Sequence, residues 1–212
     1  MLTVVIPRTA EPTVVQLTHE NLLRELASVH GSELLITDSW GEGIVKCRTE
    51  FICLVEPDCL VNSGYFSSMV SLFKKNPHYR QLGIMGSSVA INDWAKRFYG
   101  YHLGDNFKDG VIPNQGKEST SPYTIGIVYI PGSVIRMSMF TRVLKDMDFG
   151  SYIDNLVKFS TNLSLSFWDH DGRIAINPNS TYVTTEEYVG EQAHFDPEPT
   201  VKVLSMFAQE RL

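Results

Sequence analysis

Short apolar runs that alternate with helical patterns constrain the fold of this chain more than any other feature of its sequence. Residues 2–6 read L-T-V-V-I and stop at Pro7, residues 33–40 read E-L-L-I-T-D-S-W, and residues 51–55 read F-I-C-L-V. Runs without an exposed face are typical of strands buried inside a parallel sheet. A helix is predicted between the first two runs, over about 13–29. Repeated βα units of this kind predict an α/β fold, with a mostly parallel sheet and helices on both of its faces.

The rest of the chain continues this alternation and contains no repeat, low-complexity tract or convincing linker. A helix is predicted after Asn62 or Ser63, because Phe66, Met69, Val70 and Phe73 lie on one helical face and Pro77 prevents continuation. Residues 92–124 are rich in Gly, Asn, Asp and aromatic residues, and we interpret them as a long functional loop. Further strands are predicted near 82–86, within 123–137 and at R-I-A-I-N-P, with helices after Ser138 and over about 151–170. We expect a single domain over residues 1–212.

Composition and charge argue against several classes of protein. With 43% hydrophobic and 20% charged residues, the sequence is that of an ordinary globular protein. Its net charge of −6 disfavours general electrostatic binding to nucleic acid or to an anionic membrane. No apolar run approaches the roughly 18 residues that span a bilayer, and the start lacks the charged stretch of a signal peptide. Cys47, Cys53 and Cys59 lack C-x-x-C spacing, so we expect reduced thiols in or near the core of a cytoplasmic protein.

Two acidic residues follow the third predicted strand, in F-I-C-L-V-E-P-D. Glu56 and Asp58 project to the same side of an extended chain, and Pro57 allows the strand ladder to stop because it has no N–H to donate. Ligands of open α/β sheets bind beyond the carboxyl ends of the strands. Two hard oxygen ligands at that edge suit Mg²⁺ or Mn²⁺ and leave positions open for phosphate oxygens. The alternative is a polar turn in which Asp58 caps the backbone.

The order of these motifs resembles the GT-A fold glycosyltransferases, and most of all their large family-2 group. T-V-V-I-P-R-T resembles the first strand and the turn that begins the nucleotide pocket, and L-L-I-T-D-S-W resembles the second strand. The stretch ending in F-I-C-L-V-E-P-D-C-L resembles the approach to the metal-binding D-x-D. Later matches are N-S-G-Y-F-S-S-M-V-S-L-F-K-K-N-P, I-P-G-S-V-I-R-M-S-M-F and L-S-L-S-F-W-D-H-D-G-R-I-A-I-N-P. The resemblance implies metal-dependent transfer of a sugar from a nucleotide-diphosphate sugar, most often a UDP-sugar, to an acceptor hydroxyl.

The resemblance also implies roles for individual residues. The aspartate that ends the second strand would contact the nucleoside. Basic residues before the third strand would lie near the nucleotide, or else are ordinary surface charges. Because the metal motif here is E-x-D, its glutamate would reach the ion through water or contact ribose, and its aspartate would be the direct ligand. A late histidine would be a third ligand, or else an isolated surface or core residue. The residues so implied are Pro7, Arg8, Thr9, Asp38, Lys46, Arg48 and Glu56 for the nucleotide-sugar donor, and Glu56, Asp58 and His194 for Mn²⁺ or Mg²⁺.

A catalytic base is missing at the position where inverting members of the family carry it. Counting back from Gly172 with the family's spacing reaches Phe159 and Ser160, neither of which can accept a proton. Asp154 fits if the helix is about two turns longer than usual. Otherwise the base lies elsewhere, or the enzyme retains configuration and needs none. Asp154 is alternatively a first-turn residue that the helix dipole stabilises.

Two further functions stay open. A non-catalytic domain that binds a nucleotide sugar accords with the missing acid, whereas a sugar nucleotidyltransferase would carry a glycine-rich basic loop where this chain has P-R-T-A-E-P. The resemblance implies a nucleotide-binding part over about 1–90 and an acceptor-side part over about 91–212. The acceptor is open among glycans, lipid-linked sugars, protein side chains, small molecules and modified nucleic-acid bases. We expect no integral membrane association.

Overall fold

The computed structural model describes residues 1–8, 12–57, 59–87, 98–100, 102–104, 123–124, 127–144, 156–170, 172–177, 180 and 182–184. The helices in these ranges are α1 (Pro12–Leu26), α2 (Trp40–Lys46), α3 (Tyr65–Lys75), α4 (Met137–Leu144) and α5 (Leu156–Asp169). The strands are β1 (Leu2–Pro7), β2 (Glu33–Thr37), β3 (Phe51–Leu54), β4 (Leu60–Val61), β5 (Tyr79–Gly83), β6 (Met85–Ser87), β7 (Phe98–Gly100), β8 (His102–Gly104), β9 (Tyr123–Thr124), β10 (Ile127–Val128), β11 (Val134–Arg136), β12 (Arg173–Ile176) and β13 (Tyr182–Thr184).

A seven-stranded mixed sheet forms the centre of the described structure, in the order β2-β1-β3-β11-β5-β12-β9. Strands β2, β1, β3, β5 and β12 run in one direction, whereas β11 and β9 are antiparallel to their neighbours. Two three-stranded sheets, β10-β6-β7 and β4-β13-β8, account for the remaining described strands. The prediction of a mostly parallel sheet is therefore confirmed, with β11 inserted in the opposite direction between β3 and β5.

Helices cover both faces of the sheet, as the alternation of apolar runs predicts. Successive residues of β1 point to opposite faces, so Val4 lies in one core cluster and Val5 in the other. The first cluster contains buried side chains of α1 and α3, and the second contains those of α2, α4 and α5. Because β1 and β3 are buried on both faces, their sequences show no polar alternation.

Helix α2 was not predicted, since residues 33–40 were interpreted as a strand that runs into a turn. The hydroxyl of Ser39 accepts a hydrogen bond from the N–H of Glu42 at 3.2 Å and caps the helix. Gly43 lies against β1 so closely that an added Cβ would sit 2.1 Å from Cγ1 of Val5. The absence of a side chain there allows α2 to pack directly on the sheet, immediately after Asp38.

Three other predicted boundaries differ from the structure. The residue before α3 is Gly64, at φ 74°, so neither Asn62 nor Ser63 is the N-cap. Helix α4 begins at Met137, so Ser138 lies inside it and does not cap it. The strand predicted within 123–137 consists of three short strands, and the turn between β10 and β11 contains Gly132 at φ 74°.

Several predictions fall wholly or partly outside the described residues. The segment 92–124, interpreted as a loop, is described only at β7, β8 and β9, and the helix predicted over 151–170 is described only from Leu156. Among the residues that the structure describes, none of the helices has the length and apolar character that crossing a bilayer requires.

Candidate functional site

Three parallel strands bring polar residues to one edge of the central sheet, which we name the carboxyl edge because β1, β2 and β3 end there. Pro7 at the end of β1 pairs with Thr37 at the end of β2, and Val5 pairs with Leu54 at the end of β3. The residues that follow these strands therefore emerge side by side. They are Arg8, Asp38 and Glu56.

Arg8 and Asp38 form an ion pair at the carboxyl edge. The Nε atom of Arg8 lies 3.8 Å from Oδ1 of Asp38, and the two side chains are 70% and 81% exposed. The backbone N–H of Arg8 also donates to the carbonyl of Thr37 at 2.7 Å. An ion pair this exposed contributes at most about 1 kcal/mol to stability. Both side chains can therefore turn toward a ligand without disturbing the fold.

Glu42 holds the turn that presents Asp38. Its Oε2 atom accepts a hydrogen bond from the backbone N–H of Asp38 at 2.9 Å, and its Oε1 atom accepts one from Lys46. The hydrogen bond from Lys46, and then that from the backbone of Asp38, hold the pKa of Glu42 below its ordinary value. Glu42 consequently stays ionised at neutral pH and fixes the backbone at the end of β2.

Glu56 is bound to a tyrosine that lies 126 residues away in the sequence. The hydroxyl of Tyr182, on β13, accepts a hydrogen bond from the backbone N–H of Glu56 and donates one to its Oε2 atom, each at 2.9 Å. Burial, and next the charges of Cys59 and Glu56, raise the pKa of Tyr182 well above its ordinary value. The hydroxyl therefore remains a proton donor to the carboxylate. The sequence does not point to Tyr182 as a site residue, because nothing in T-Y-V-T-T indicates so distant a partner.

Buried hydrogen bonds fix the end of β3 from both sides. The indole Nε1 of Trp40 donates to the carbonyl of Val55 at 2.9 Å, and the N–H of Gly132 donates to the carbonyl of Leu54 at 2.9 Å. The hydroxyl of Tyr65 donates to the carbonyl of Gly132. Glu56 thus projects from a rigid strand end, with the turn at Gly132 beside it.

Comparison with known proteins gives a match in structure but not in sequence. No family model and no curated protein sequence matches this chain. The crystal structure of S. aureus TarS 1–349 in complex with UDP-GlcNAc has a TM-score of 0.54 at 11% identity, over 87% of this chain and 58% of that chain. GalNAc-T7 with UDP, GalNAc and Mn²⁺ has a TM-score of 0.56 at 12% identity, over 87% of this chain and 43% of that chain. Both neighbours are GT-A glycosyltransferases.

This chain has the GT-A fold. It spans 58% and 43% of the lengths of those two neighbours. The fold that the resemblance implied is therefore confirmed, and the carboxyl edge is the place where ligands bind in open α/β sheets.

The other basic residues predicted near the nucleotide lie at the far end of α2. Lys46 bonds to Glu42, and the guanidinium of Arg48 donates to the carbonyls of Val45 at 2.7 Å and Cys47 at 3.0 Å. Both residues precede β3, whereas Glu56 follows it. The side chain of Lys46 reaches back along α2 to Glu42, which also binds the backbone of Asp38, whereas Arg48 binds carbonyls at the end of the helix. Contact of either residue with nucleotide stays a prediction. The remaining predicted site residues lie outside the described residues: Thr9, Asp58, Asp154 and His194.

The metal ligands predicted for the GT-A fold can be tested only at Glu56. Its half-buried carboxylate at the strand end supplies the hard oxygen that Mg²⁺ and Mn²⁺ prefer, so it fits such an ion. Among the described residues, no three His, Cys, Asp or Glu side chains come close enough to hold a metal. A metal site here requires Asp58 in addition to Glu56, with His194 as the further ligand predicted.

Phe159 and Ser160, at the family's usual spacing for a base, are part of the core. Both side chains are fully buried, and the hydroxyl of Ser160 accepts a hydrogen bond from the N–H of Ile130 at 3.0 Å. The hydroxyl of Ser164, one turn later, accepts a hydrogen bond from the N–H of Val128 at 3.1 Å. This face of α5 supports the turn beside β3 and offers no proton acceptor to a substrate.

Proposed function

We propose that this protein is a metal-dependent glycosyltransferase that transfers a sugar from a nucleotide-diphosphate sugar, most often a UDP-sugar, to an acceptor hydroxyl. The observation that carries the proposal is the placement of Arg8, Asp38 and Glu56 after three adjacent parallel strands at the carboxyl edge of a GT-A fold. The structures of TarS with UDP-GlcNAc and of GalNAc-T7 with UDP, GalNAc and Mn²⁺ support it. In this proposal the part over about residues 1–90 binds the nucleotide, and the part over about 91–212 faces the acceptor. The buried free thiols fit a reducing compartment such as the cytoplasm.

In this proposal most of the site residues bind the nucleotide-sugar donor and its metal, and one acts on the acceptor hydroxyl. Asp38 accepts hydrogen bonds from the nucleoside, and Pro7, Arg8 and Thr9 line its pocket, where the guanidinium of Arg8 attracts phosphate oxygens. Asp58 and Glu56 would hold Mn²⁺ or Mg²⁺, with His194 as a third ligand. When bound, the ion supplies positive charge against the diphosphate leaving group. Asp154 accepts the proton of the acceptor hydroxyl as the new glycosidic bond forms.

A second candidate is a domain that binds a nucleotide sugar without transferring it. The burial of Phe159 and Ser160 favours this candidate, because the usual place of the base is occupied by core side chains. The two functions differ in one product. A transferase releases free nucleotide from its donor when an acceptor, or water, takes the sugar, whereas a binding domain leaves the donor intact.

Thermal denaturation against a panel of nucleotide sugars, with and without Mn²⁺, tests the proposal. A donor at one hundred times its Kd stabilises the native state by about 2.7 kcal/mol, which raises the Tm of a chain this size by about 5–10 °C. We expect Mn²⁺ to enlarge this shift. Asp58→Ala is expected to abolish the increment due to Mn²⁺, and Asp38→Asn to reduce the whole shift.

The matched control is Glu20→Gln, which changes an exposed carboxylate of α1 that accepts a hydrogen bond from the side chain of Gln16. This variant should keep the full response to donor and to Mn²⁺. If no nucleotide sugar stabilises the native protein, or if Asp58→Ala responds as the wild type does, the proposed function is wrong. Chromatography of the donor after incubation then separates the transferase from the binding domain.

A further inference from the structure

Tyr182 makes two hydrogen bonds to a single residue at the carboxyl edge. Its hydroxyl accepts from the backbone N–H of Glu56 and donates to Oε2 of the same residue, both at 2.9 Å. The first bond fixes the backbone at the end of β3, and the second fixes the direction of the carboxylate. A glutamate side chain otherwise samples several rotamers, and immobilising it has an entropic cost.

The tyrosine ring is buried and closely packed. Tyr182 is fully buried, and its strand pairs with β4 on one side and β8 on the other. Gly132 touches the ring so closely that an added Cβ would sit 2.6 Å from Cδ2 of Tyr182. The position of the hydroxyl is therefore set by the sheet and by the turn at Gly132, independently of any ligand.

We propose that Tyr182 is a positioning residue that holds the carboxylate of Glu56 in its ligand-binding orientation before the metal and nucleotide arrive. This inference rests on the proposed function, in which Glu56 meets the ion or the ribose. Tyr182 does not touch the substrate, since its ring lies in the core and only its hydroxyl reaches Glu56. Groups that hydrogen-bond to metal-binding carboxylates typically affect metal affinity by tenfold to a hundredfold.

Tyr182 also touches the turn at Gly132, which lies beside the end of β3. The turn that packs on Tyr182 also donates from Gly132 to the carbonyl of Leu54, two residues before Glu56. Tyr182 thus contacts both the turn at Gly132 and the carboxylate of Glu56, and it holds the two in a fixed relation.

The test compares Tyr182→Phe with Tyr65→Phe, a matched control from the same cluster. Both variants remove one hydroxyl from a buried tyrosine that touches Gly132, but Tyr65 donates to the carbonyl of Gly132 and not to Glu56. Titration calorimetry with UDP in the presence of Mn²⁺ measures the site, and electron paramagnetic resonance of free Mn²⁺ measures the metal alone. We expect Tyr182→Phe to weaken Mn²⁺–UDP binding by about tenfold or more. Tyr65→Phe should stay within about twofold of the wild type, because the Glu56 contact is intact.

A double-variant cycle separates positioning from general support of the fold. In a Glu56→Gln background, Tyr182→Phe should have no further effect on Mn²⁺–UDP binding beyond twofold, since the carboxylate that it orients is gone. A crystal structure of the wild type with Mn²⁺ and UDP gives a measurement that does not depend on folding of the variant. We expect the hydroxyl of Tyr182 to remain within hydrogen-bond distance of Oε2 of Glu56 there.

The outcomes distinguish this inference from the proposed function. A wild type that binds neither Mn²⁺ nor UDP overturns both. Tyr182→Phe binding like the wild type, Tyr65→Phe losing as much affinity as Tyr182→Phe, or a complex in which the Tyr182–Glu56 hydrogen bond is broken overturns the positioning role alone and leaves the proposed function standing.

Discussion

At the scale of residues, two buried tyrosines pack against the turn at Gly132 and differ in what their hydroxyls bind. Tyr65 and Tyr182 are both fully buried and both contact Gly132, and each hydroxyl has a hydrogen-bond partner. A buried hydroxyl without a partner would cost roughly 1–3 kcal/mol. The aromatic rings supply apolar area to the core, while their hydroxyls satisfy backbone groups of turns that lack regular pairing.

The stability difference between the wild type and Tyr65→Phe is expected to change with pH in the alkaline range, because only the wild type carries the buried hydroxyl. Burial, and next the charges of Cys53 and Cys59, raise the pKa of Tyr65 well above its ordinary value. The folded state therefore keeps a proton that the unfolded state releases, and this stability is complete below about pH 10 and is lost as the pH rises further. Near pH 8 the wild type should be about 1 kcal/mol more stable than the variant, because it has one more hydrogen bond.

Urea unfolding from pH 8 to pH 11 measures this difference. Above about pH 10 it should shrink by up to about 1.4 kcal/mol per pH unit, since only the wild type loses a proton from this site on unfolding. Below pH 9 the difference should stay constant. A difference that stays constant up to pH 11 would show that the Tyr65 hydroxyl is accessible to water.

At the scale of elements, the start of α3 depends on a side chain of α1. Gly64 precedes α3 in the left-handed conformation and has no side chain to cap it. Glu25, buried on α1, accepts the N–H of Gly64 through Oε2 at 2.8 Å. A carboxylate at this position also opposes the positive end of the helix dipole. The two helices are thereby joined by one charge-assisted hydrogen bond.

Replacing Glu25 by Gln should reduce the free energy of unfolding by about 1–2 kcal/mol, because it removes the charge from this bond and from the helix N-terminus. Urea denaturation at pH 7, with an unchanged m-value, measures the loss. Glu20→Gln, on the same helix but exposed, is the matched control and should change stability by less than about 0.5 kcal/mol. Equal losses in the two variants would show that Glu25 does not cap α3.

The elements that the sequence predicts well are those whose pattern is local. β1, β3 and the apolar face of α3 follow from uninterrupted runs or helical spacing, and each is confirmed. Helix α2 escaped prediction because Gly41 and Gly43 lower helix propensity, while the reason for Gly43, its contact with Val5, lies on another element. The Ser39 and Glu42 spacing is the local signal that indicates this helix.

In the candidate site too, local patterns could be predicted from the sequence and long-range contacts could not. Asp38 and Glu56 could be predicted as site residues because they follow buried strands, and strand ends meet at one edge of a parallel sheet. The support of Glu56 by Tyr182 and the cap of α3 by Glu25 could not, because each joins residues far apart in the sequence. Such contacts depend on the packed fold and leave no periodic pattern in the chain.

At the scale of the whole molecule, the central sheet separates two cores that share its strands. Cys53 and Cys59 lie in the cluster beneath α1 and α3, and Cys47 lies in the cluster beneath α2, α4 and α5. All three are free thiols with at most 5% of their surface exposed, as the sequence analysis predicted for core cysteines. Burial raises the pKa of Cys53, so the reactive thiolate is scarce there in the folded protein.

Thiol labelling of the native protein should therefore report unfolding of the molecule as a whole. We expect no rapid reaction of the native chain with a disulfide reagent, and reaction of all three thiols in denaturant. Gly43→Ala places a methyl group into Val5 and should destabilise the fold by about 1–3 kcal/mol. Since each 1.4 kcal/mol is a factor of ten in the unfolding equilibrium, native labelling should accelerate by about 5-fold to 140-fold.

The cysteines at which Gly43→Ala accelerates labelling show whether the two cores unfold together. Gly43 faces the cluster that contains Cys47, so Cys53 and Cys59, in the other cluster, are expected to accelerate by the same factor if the sheet couples both cores. Mass spectrometry of labelled peptides measures each site. Gly41→Ala, on the same short helix, is the control and should not accelerate labelling, because alanine favours the helix by about 1 kcal/mol. Acceleration confined to Cys47 would mean that the two faces of the sheet open independently, and the chain would then not behave as one cooperative domain.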